Sequence, residues 1–185
     1  ALMTISCGSQ IYMNPTNLKS AIDNKEFDYN ATRAFPLDNN GVNNILNSFP
    51  GGGAAGRLLN LDPGYGFNLK KDLFSVYLPY FGRAFSANPA DTSNGGIRFE
   101  SKEFTVKQSV TKKGNTLLVI TPRDAKENYV FNLEIFKNGS GFLSINSNNR
   151  QPISFDGNIS AAKNLFPNNF FTKSLAAELG VDNSS

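Results

Sequence analysis

Histidine is absent from all 185 residues, and Cys7 is the single cysteine. The chain therefore lacks the side chain whose ordinary pKa suits proton transfer near neutrality, which is also the commonest ligand for zinc, copper and non-haem iron. The count alone excludes Ser-His-Asp and Cys-His nucleophile arrangements. With one cysteine, no disulfide can form within the chain. Chemistry is left to carboxylates, amines and hydroxyls. Asp124 and Glu127 stand three apart in a segment with turn character, which reads as a solvated pair rather than a converging dyad. Two acids can cleave a glycosidic bond when held about 5 to 9 Å apart, but no spacing along this chain selects such a pair. A Ser-Lys dyad needs a buried lysine beside its serine, and again nothing singles one out. Gly51-Gly52-Gly53-Ala54-Ala55-Gly56 lacks the Lys-Ser/Thr that follows a phosphate-binding loop. The expectation is a protein without catalytic apparatus, cofactor or metal. The enzymatic alternative is a hydrolase working with carboxylates alone.

Binding is the other use of side chains, and the string Tyr77, Tyr80, Phe81 and Arg83 is the candidate ligand-binding surface. In a strand, Tyr80 and Phe81 point to opposite faces, so only one side of the string serves a given cleft. Pro79 removes a ladder donor and marks an edge or a bulge. A structural corner with Arg83 pairing locally is the competing reading. The net charge is only +3, and the adjacent basic pairs Lys70-Lys71 and Lys112-Lys113 both stand beside turn signals. That is a weak footprint for a polyanion, so nucleic acid is not an expected partner. Asn30, Asn138 and Asn158 head glycosylation sequons, which read as chance matches in an Asn-rich chain.

Ala1-Leu2-Met3-Thr4-Ile5-Ser6-Cys7-Gly8-Ser9 reads as the end of an apolar export segment running into a small residue and a cysteine. A bacterial lipoprotein signal ends in this manner, with Cys7 as the lipid attachment site, although Thr4 stands where leucine is usual. The expectation is an exported protein of the periplasm or cell surface, held to a membrane through this N-terminal lipid. A triacylated cysteine would hold firmly where one acyl chain would not.

These side chains need elements to position them. Residues 1–10 are the signal end or a disordered terminus, 11–160 a single β domain, and 161–185 a mildly helical tail. A chain of this length buries about 70% of its unfolded surface, so it needs neither disulfide nor metal to be stable. Leu18, Ala21 and Ile22 fit a short helix over 16–27 with Thr16 or Asn17 as its cap. Phe27, Tyr29 and Ala31 then alternate with polar residues as in a strand. From Pro36 to Gly56 the composition turns to Asn, Gly and Pro, a loop. Strands follow over 67–69, 73–81, 97–99 and 153–155, and an antiparallel meander runs through 104–146. Around Lys112-Lys113-Gly114, Val110 faces Thr116 and Val106 faces Ile120, with Gly114 in the left-handed position. At Asn138-Gly139 a two-residue loop strands Leu143 on the polar face, so an odd loop pairing Ile135 with Leu143 and Leu133 with Ile145 is preferred. About eight strands exceed one comfortable flat sheet. The fold class is mainly β, an antiparallel barrel or two-sheet sandwich around the 16 phenylalanines.

Three stretches carry a family likeness. They are Tyr77-Leu78-Pro79-Tyr80-Phe81-Gly82-Arg83-Ala84-Phe85, Asn94-Gly95-Gly96-Ile97-Arg98-Phe99, and the closing segment from Phe142 through Ser147-Asn148-Asn149-Arg150-Gln151 to Gly157. With them the chain resembles, over roughly residues 17 to 160, an uncharacterised family of gut Bacteroidetes proteins known only as domain of unknown function forty-two-fifty-one. The Asn/Gly-rich stretch 39–56 looks like an insertion against that pattern, and the C-terminal tail is longer. The resemblance implies export and a β-rich fold, and transfers no catalytic residue. The functional expectation is a non-enzymatic binding or envelope-associated module. A lipocalin-like carrier of a small apolar ligand is the alternative.

Overall fold

The computed structural model describes residues 10–36, 60–81 and 96–163. The expectations placed on Cys7, on the 36–56 loop, on Arg83 and on the helical tail fall almost wholly outside them. Within the described residues a helix α1 (Pro15–Asn24) precedes nine strands: β1 (Phe27–Pro36), β2 (Gly66–Leu69), β3 (Phe74–Leu78), β4 (Ile97–Ser101), β5 (Phe104–Val110), β6 (Thr116–Pro122), β7 (Tyr129–Ile135), β8 (Ser140–Ser147) and β9 (Ile153–Ala161). All pair antiparallel in one sheet of order β4-β3-β2-β1-β9-β8-β7-β6-β5. No helix among the described residues is long and apolar enough to cross a membrane.

The sheet is rolled. β3 and β7 are five strands apart, which in a flat sheet would separate them by about 24 Å. Yet Phe74 of β3 meets Phe131 of β7 edge-to-face at 5.1 Å between ring centroids. Phe99 of β4 likewise lies flat on Tyr129 of β7 at 5.4 Å. A single nearly closed barrel-like sheet, rather than a two-sheet sandwich, resolves the architecture. Its inner face carries the expected alternation, with Leu118, Ile120, Phe131, Leu133, Leu143 and Phe155 buried.

Several boundaries differ from expectation, and β4 and β9 run on to Ser101 and Ala161, past the expected 99 and 155. The helix starts one residue earlier, because Pro15 presets its first turn and Asn14 Oδ1 accepts the Thr16 N–H at 2.9 Å. It stops at Asn24, where Lys25 turns left-handed (φ 56°) and the Lys25 and Glu26 N–H groups close on the Ile22 and Ala21 carbonyls. Phe27 joins β1 instead and is fully buried. Strand β3 ends at Leu78, so Tyr80 and Phe81 stand beyond it.

The first hairpin has the expected register, Val110 opposite Thr116 and Val106 opposite Ile120. The second has the expected odd loop and the expected faces, but its partners are shifted by two. Leu133 faces Leu143, Ile135 faces Gly141, and Phe131 faces Ile145. The reason is that both loops are built alike. Gly114 (φ 79°) and Gly139 (φ 82°) each take the last loop position. Thr111 N–H donates to the Asn115 carbonyl as Phe136 N–H donates to that of Ser140, at 2.8 and 2.9 Å. Asn138 Oδ1 fixes its loop further by accepting from the Ser140 N–H and hydroxyl.

Tyr29 is the largest fully buried side chain among the described residues, and its hydroxyl donates to the Phe155 carbonyl at 2.9 Å. Gly157 lets it lie there, since a Cβ at that position would stand 2.2 Å from the Asn30 carbonyl oxygen and 2.7 Å from the Tyr29 ring. Asn30 and Asn158, heads of two sequons, lie in β1 and β9 and bond each other at 3.3 Å.

Candidate binding site at the rim of the barrel

At the end of the meander where β6 turns into β7, the rim is knitted by charge. Arg150 donates to both Glu127 oxygens, with Nη2 to Oε1 at 2.9 Å and Nε to Oε2 at 3.1 Å. A planar guanidinium matches a carboxylate in this two-bond fashion and fixes its orientation. The Arg150 guanidinium also lies 5.1 Å from the Tyr80 ring centroid, and the Tyr80 hydroxyl donates to the Gln151 carbonyl at 3.0 Å. Two of the stretches singled out in the sequence, around Tyr80 and around Arg150, thus meet face to face.

The third stretch joins them. Arg98 of β4 stands opposite Tyr77 of β3 and stacks on its ring at 4.5 Å. Tyr77 stacks in turn on Tyr65 at 5.2 Å. Between the two arginines lies a pocket of about 290 Å³, whose lining includes Arg98, Glu100, Asp124, Lys126, Glu127 and Arg150. Tyr129 and Phe99 supply its apolar wall. The pocket therefore carries three cationic and three anionic side chains against stacked aromatic rings.

The acids here are spoken for. Burial alone would raise the Glu127 carboxyl, but the Arg150 hydrogen bonds, the Tyr129 and Ser147 hydroxyls and the Arg150 charge hold it below the ordinary carboxylate range. Glu127 is half-buried, so its expected solvated state is corrected: the guanidinium across the rim draws it in. Asp124 is exposed as expected, yet it is not idle. It accepts from the Ser101 hydroxyl, and from the Lys102 and Glu103 N–H groups at 2.9 and 3.3 Å. The Ser101 hydroxyl and these amides lower its pKa. Asp124 thereby pins the corner where β4 passes into β5.

A second polar group crosses the outer face of β1 to β4 in one row: Asp28, Asn68, Ser75 and Glu100. Asn68 donates to Asp28, and Ser75 donates to Glu100 at 3.2 Å. Burial pushes the Asp28 carboxyl up, against the opposing pull of Asn68, the Lys163 N–H and nearby lysine charge. Three strand spacings put the two acids about 14 Å apart, too far to flank one glycosidic bond. Among the described residues, no three His, Cys, Asp or Glu side chains converge as a metal site.

Of the candidate residues named from sequence, Tyr77 and Tyr80 are in the rim assembly, half-buried under their arginines. Phe81 stands at the surface beyond β3 and is 39% exposed. Cys7 and Arg83 lie outside the described residues. Sequence reasoning missed Arg98, Arg150 and Glu127 as site residues, although Arg98 and Arg150 stood in stretches already marked as distinctive.

The model of a family described as "Domain of unknown function (DUF4251)" matches residues 10–159. The chain belongs to that family. A solved DUF4251 family protein from Bacteroides eggerthii is similar in fold, with a TM-score of 0.51 at 14% identity over 82% of this chain and 91% of that one. No curated protein matches. The matched span takes in the described parts of all three rim stretches, so the rim pocket lies wholly inside the DUF4251 region.

Proposed function

We propose that this DUF4251 protein is an exported, non-enzymatic binding module of the cell envelope, anchored through a lipid on Cys7. In this reading the rim pocket takes a small, neutral, hydroxyl-rich ligand, a saccharide unit. The observation that carries it is the pocket lined by Arg98 and Arg150, each stacked on a tyrosine of the 77–85 stretch behind it. Its charges are balanced, so its field does not select a net ion. Carboxylate oxygens keep lone pairs beyond the bonds they already make, and guanidinium N–H groups donate, which together suit hydroxyls that both donate and accept.

Two observations weigh against the alternatives. A carboxylate hydrolase needs an acid with a raised pKa in its cleft, whereas Glu127 and Asp124 are both held low. A lipocalin-like carrier needs internal room, whereas Tyr29, Phe67, Phe74, Phe131 and Phe155 fill the inner face and are fully buried.

The test is titration of the protein with neutral mono- and oligosaccharides, followed by amide NMR. A saturable shift confined to residues 96–100, 124–129 and 150, lost in Arg98→Ala, is the expected result. A folded protein whose rim amides respond to no saccharide ends the ligand assignment.

A further inference from the structure

The opposite end of β5 to β8 has a different character. There α1 lies over the strand ends and leaves a slot of about 440 Å³, floored by Leu18, Ile22, Ile135 and Phe136. Lys19, Asp23 and Lys137 also line it. The β5–β6 loop beside it carries Lys112, Lys113 and Gly114, and the Lys137 side chain reaches to 4.0 Å from where a Gly114 Cβ would stand. Four lysines therefore gather at this end, three of them on the two hairpin tips. The acids nearby are Asp23 and Glu134, and Glu134 accepts from Asn115 at 2.8 Å.

Large apolar side chains stand open at the same end. Val110, the last residue of β5, is 72% exposed, while Ile11 and Tyr12 are 69% and 43% exposed. The segment holding those two is fixed to the β7–β8 tip. Tyr12 N–H donates to the Asn138 carbonyl at 2.8 Å, and Asn138 Nδ2 donates to the Gln10 carbonyl at 3.2 Å. The chain thus enters the fold at this end, three residues after Cys7.

We infer that this end of the barrel docks on an anionic phospholipid surface, with Ile11, Tyr12 and Val110 entering the headgroup region and Lys112, Lys113, Lys137 and Lys19 facing the lipid phosphates. Apolar side chains ringed by lysine, on the tips of a rigid scaffold, match such an interface in both charge and chemistry. The inference rests on the envelope reading above and adds an orientation to it. The anchored end faces the bilayer, and the rim pocket at the far end of strands about 20 Å long faces away.

The experiment uses the full chain carrying Cys7→Ser, so that no acyl group contributes, in co-sedimentation with vesicles. Binding to vesicles of phosphatidylcholine mixed with phosphatidylglycerol is expected to be at least tenfold tighter than to phosphatidylcholine alone, and to weaken with added salt. The exposed charge reversals Lys112→Glu, Lys113→Glu and Lys137→Glu together should cost at least tenfold on the anionic vesicles. Ile11→Ser with Val110→Ser should weaken binding too, with circular dichroism unchanged in both variants. Equal binding to the two vesicle types, no binding to either, or triple-variant binding equal to the parent overturns the inference. The anchor is read separately in cells washed with high salt, which strips an electrostatic contact but not an acyl chain. If Cys7→Ser stays at the membrane after that wash, the lipid anchor fails while the docking surface stands on the vesicle result alone.

Discussion

The two ends of β6 and β7 are made from the same strands yet solve opposite problems. At the β6–β7 turn, polar groups are committed to one another: Arg150 to Glu127 and Tyr80, and Asp124 to the β4–β5 corner. At the α1 end, lysines stand exposed on hairpin tips beside open apolar side chains. A knitted rim gives a fixed geometry, which suits recognition of a shaped ligand. Loose charge over apolar tips gives contact without register, which suits a fluid surface. On the proposed reading, one rolled sheet separates directional from non-directional binding by about the length of one strand.

The comparison is tested most severely by removing what joins the halves of the sheet. Phe74 touches Phe67, Phe99, Phe104 and Phe131. Phe74→Ala should therefore cost about 3 to 5 kcal/mol and impair both ends together, read as the denaturant midpoint. If one end keeps its binding at full strength in an otherwise destabilised protein, the two ends are less coupled than the shared core implies.

A smaller and one-sided effect is expected from Glu127→Gln. It removes the charge paired with Arg150 and should cost about 2 kcal/mol at neutral pH, the usual size for a hydrogen bond to a charged group. Because the folded pKa of Glu127 lies below its unfolded value, its contribution is present above the ordinary carboxylate range and is lost as pH falls through the folded value. The gap between parent and variant should accordingly close on acidification, in urea melts taken across pH 3 to 7 (about the window set by an ordinary glutamate). A gap independent of pH would show that shape, not charge, holds the rim. Vesicle binding at the other end should not change.

The smallest effect belongs to the helix. Asn14 Oδ1 caps α1 from an exposed position, so Asn14→Ala should cost about 1 kcal/mol. Its signature is faster amide exchange in residues 16–20, with the rim amides unaffected.

The meander was legible because its strands show a clean alternation of apolar and polar residues. The register of the first hairpin followed from Gly114, and the same rule applied to Gly139 would have placed the second. Its partners went astray because loop parity was decided by hydrophobic faces alone, and a shift of two preserves those faces. The rim was hidden for another reason. Arg150 and Glu127 lie on either side of β7 and β8, and a pairing set by strand ends leaves no periodic trace. The lysine cluster was hidden likewise, for Lys19 and Lys137 adjoin one slot only after the sheet has folded. The barrel itself became visible only through contacts such as Phe74 with Phe131, which no local pattern encodes.

One feature of the roll constrains how the molecule moves. Among the described strands β4 and β5 are the two edges of the sheet and do not pair; the gap beside them is bridged by the Phe99 ring of β4 on Tyr129 of β7 and by the Asp124 side chain at the β4–β5 corner. A staved vessel fastened this way parts along its joint before any stave splits. Breathing of this protein should therefore begin beside the rim pocket, which gives a ligand its way in without asking the rest of the wall to yield.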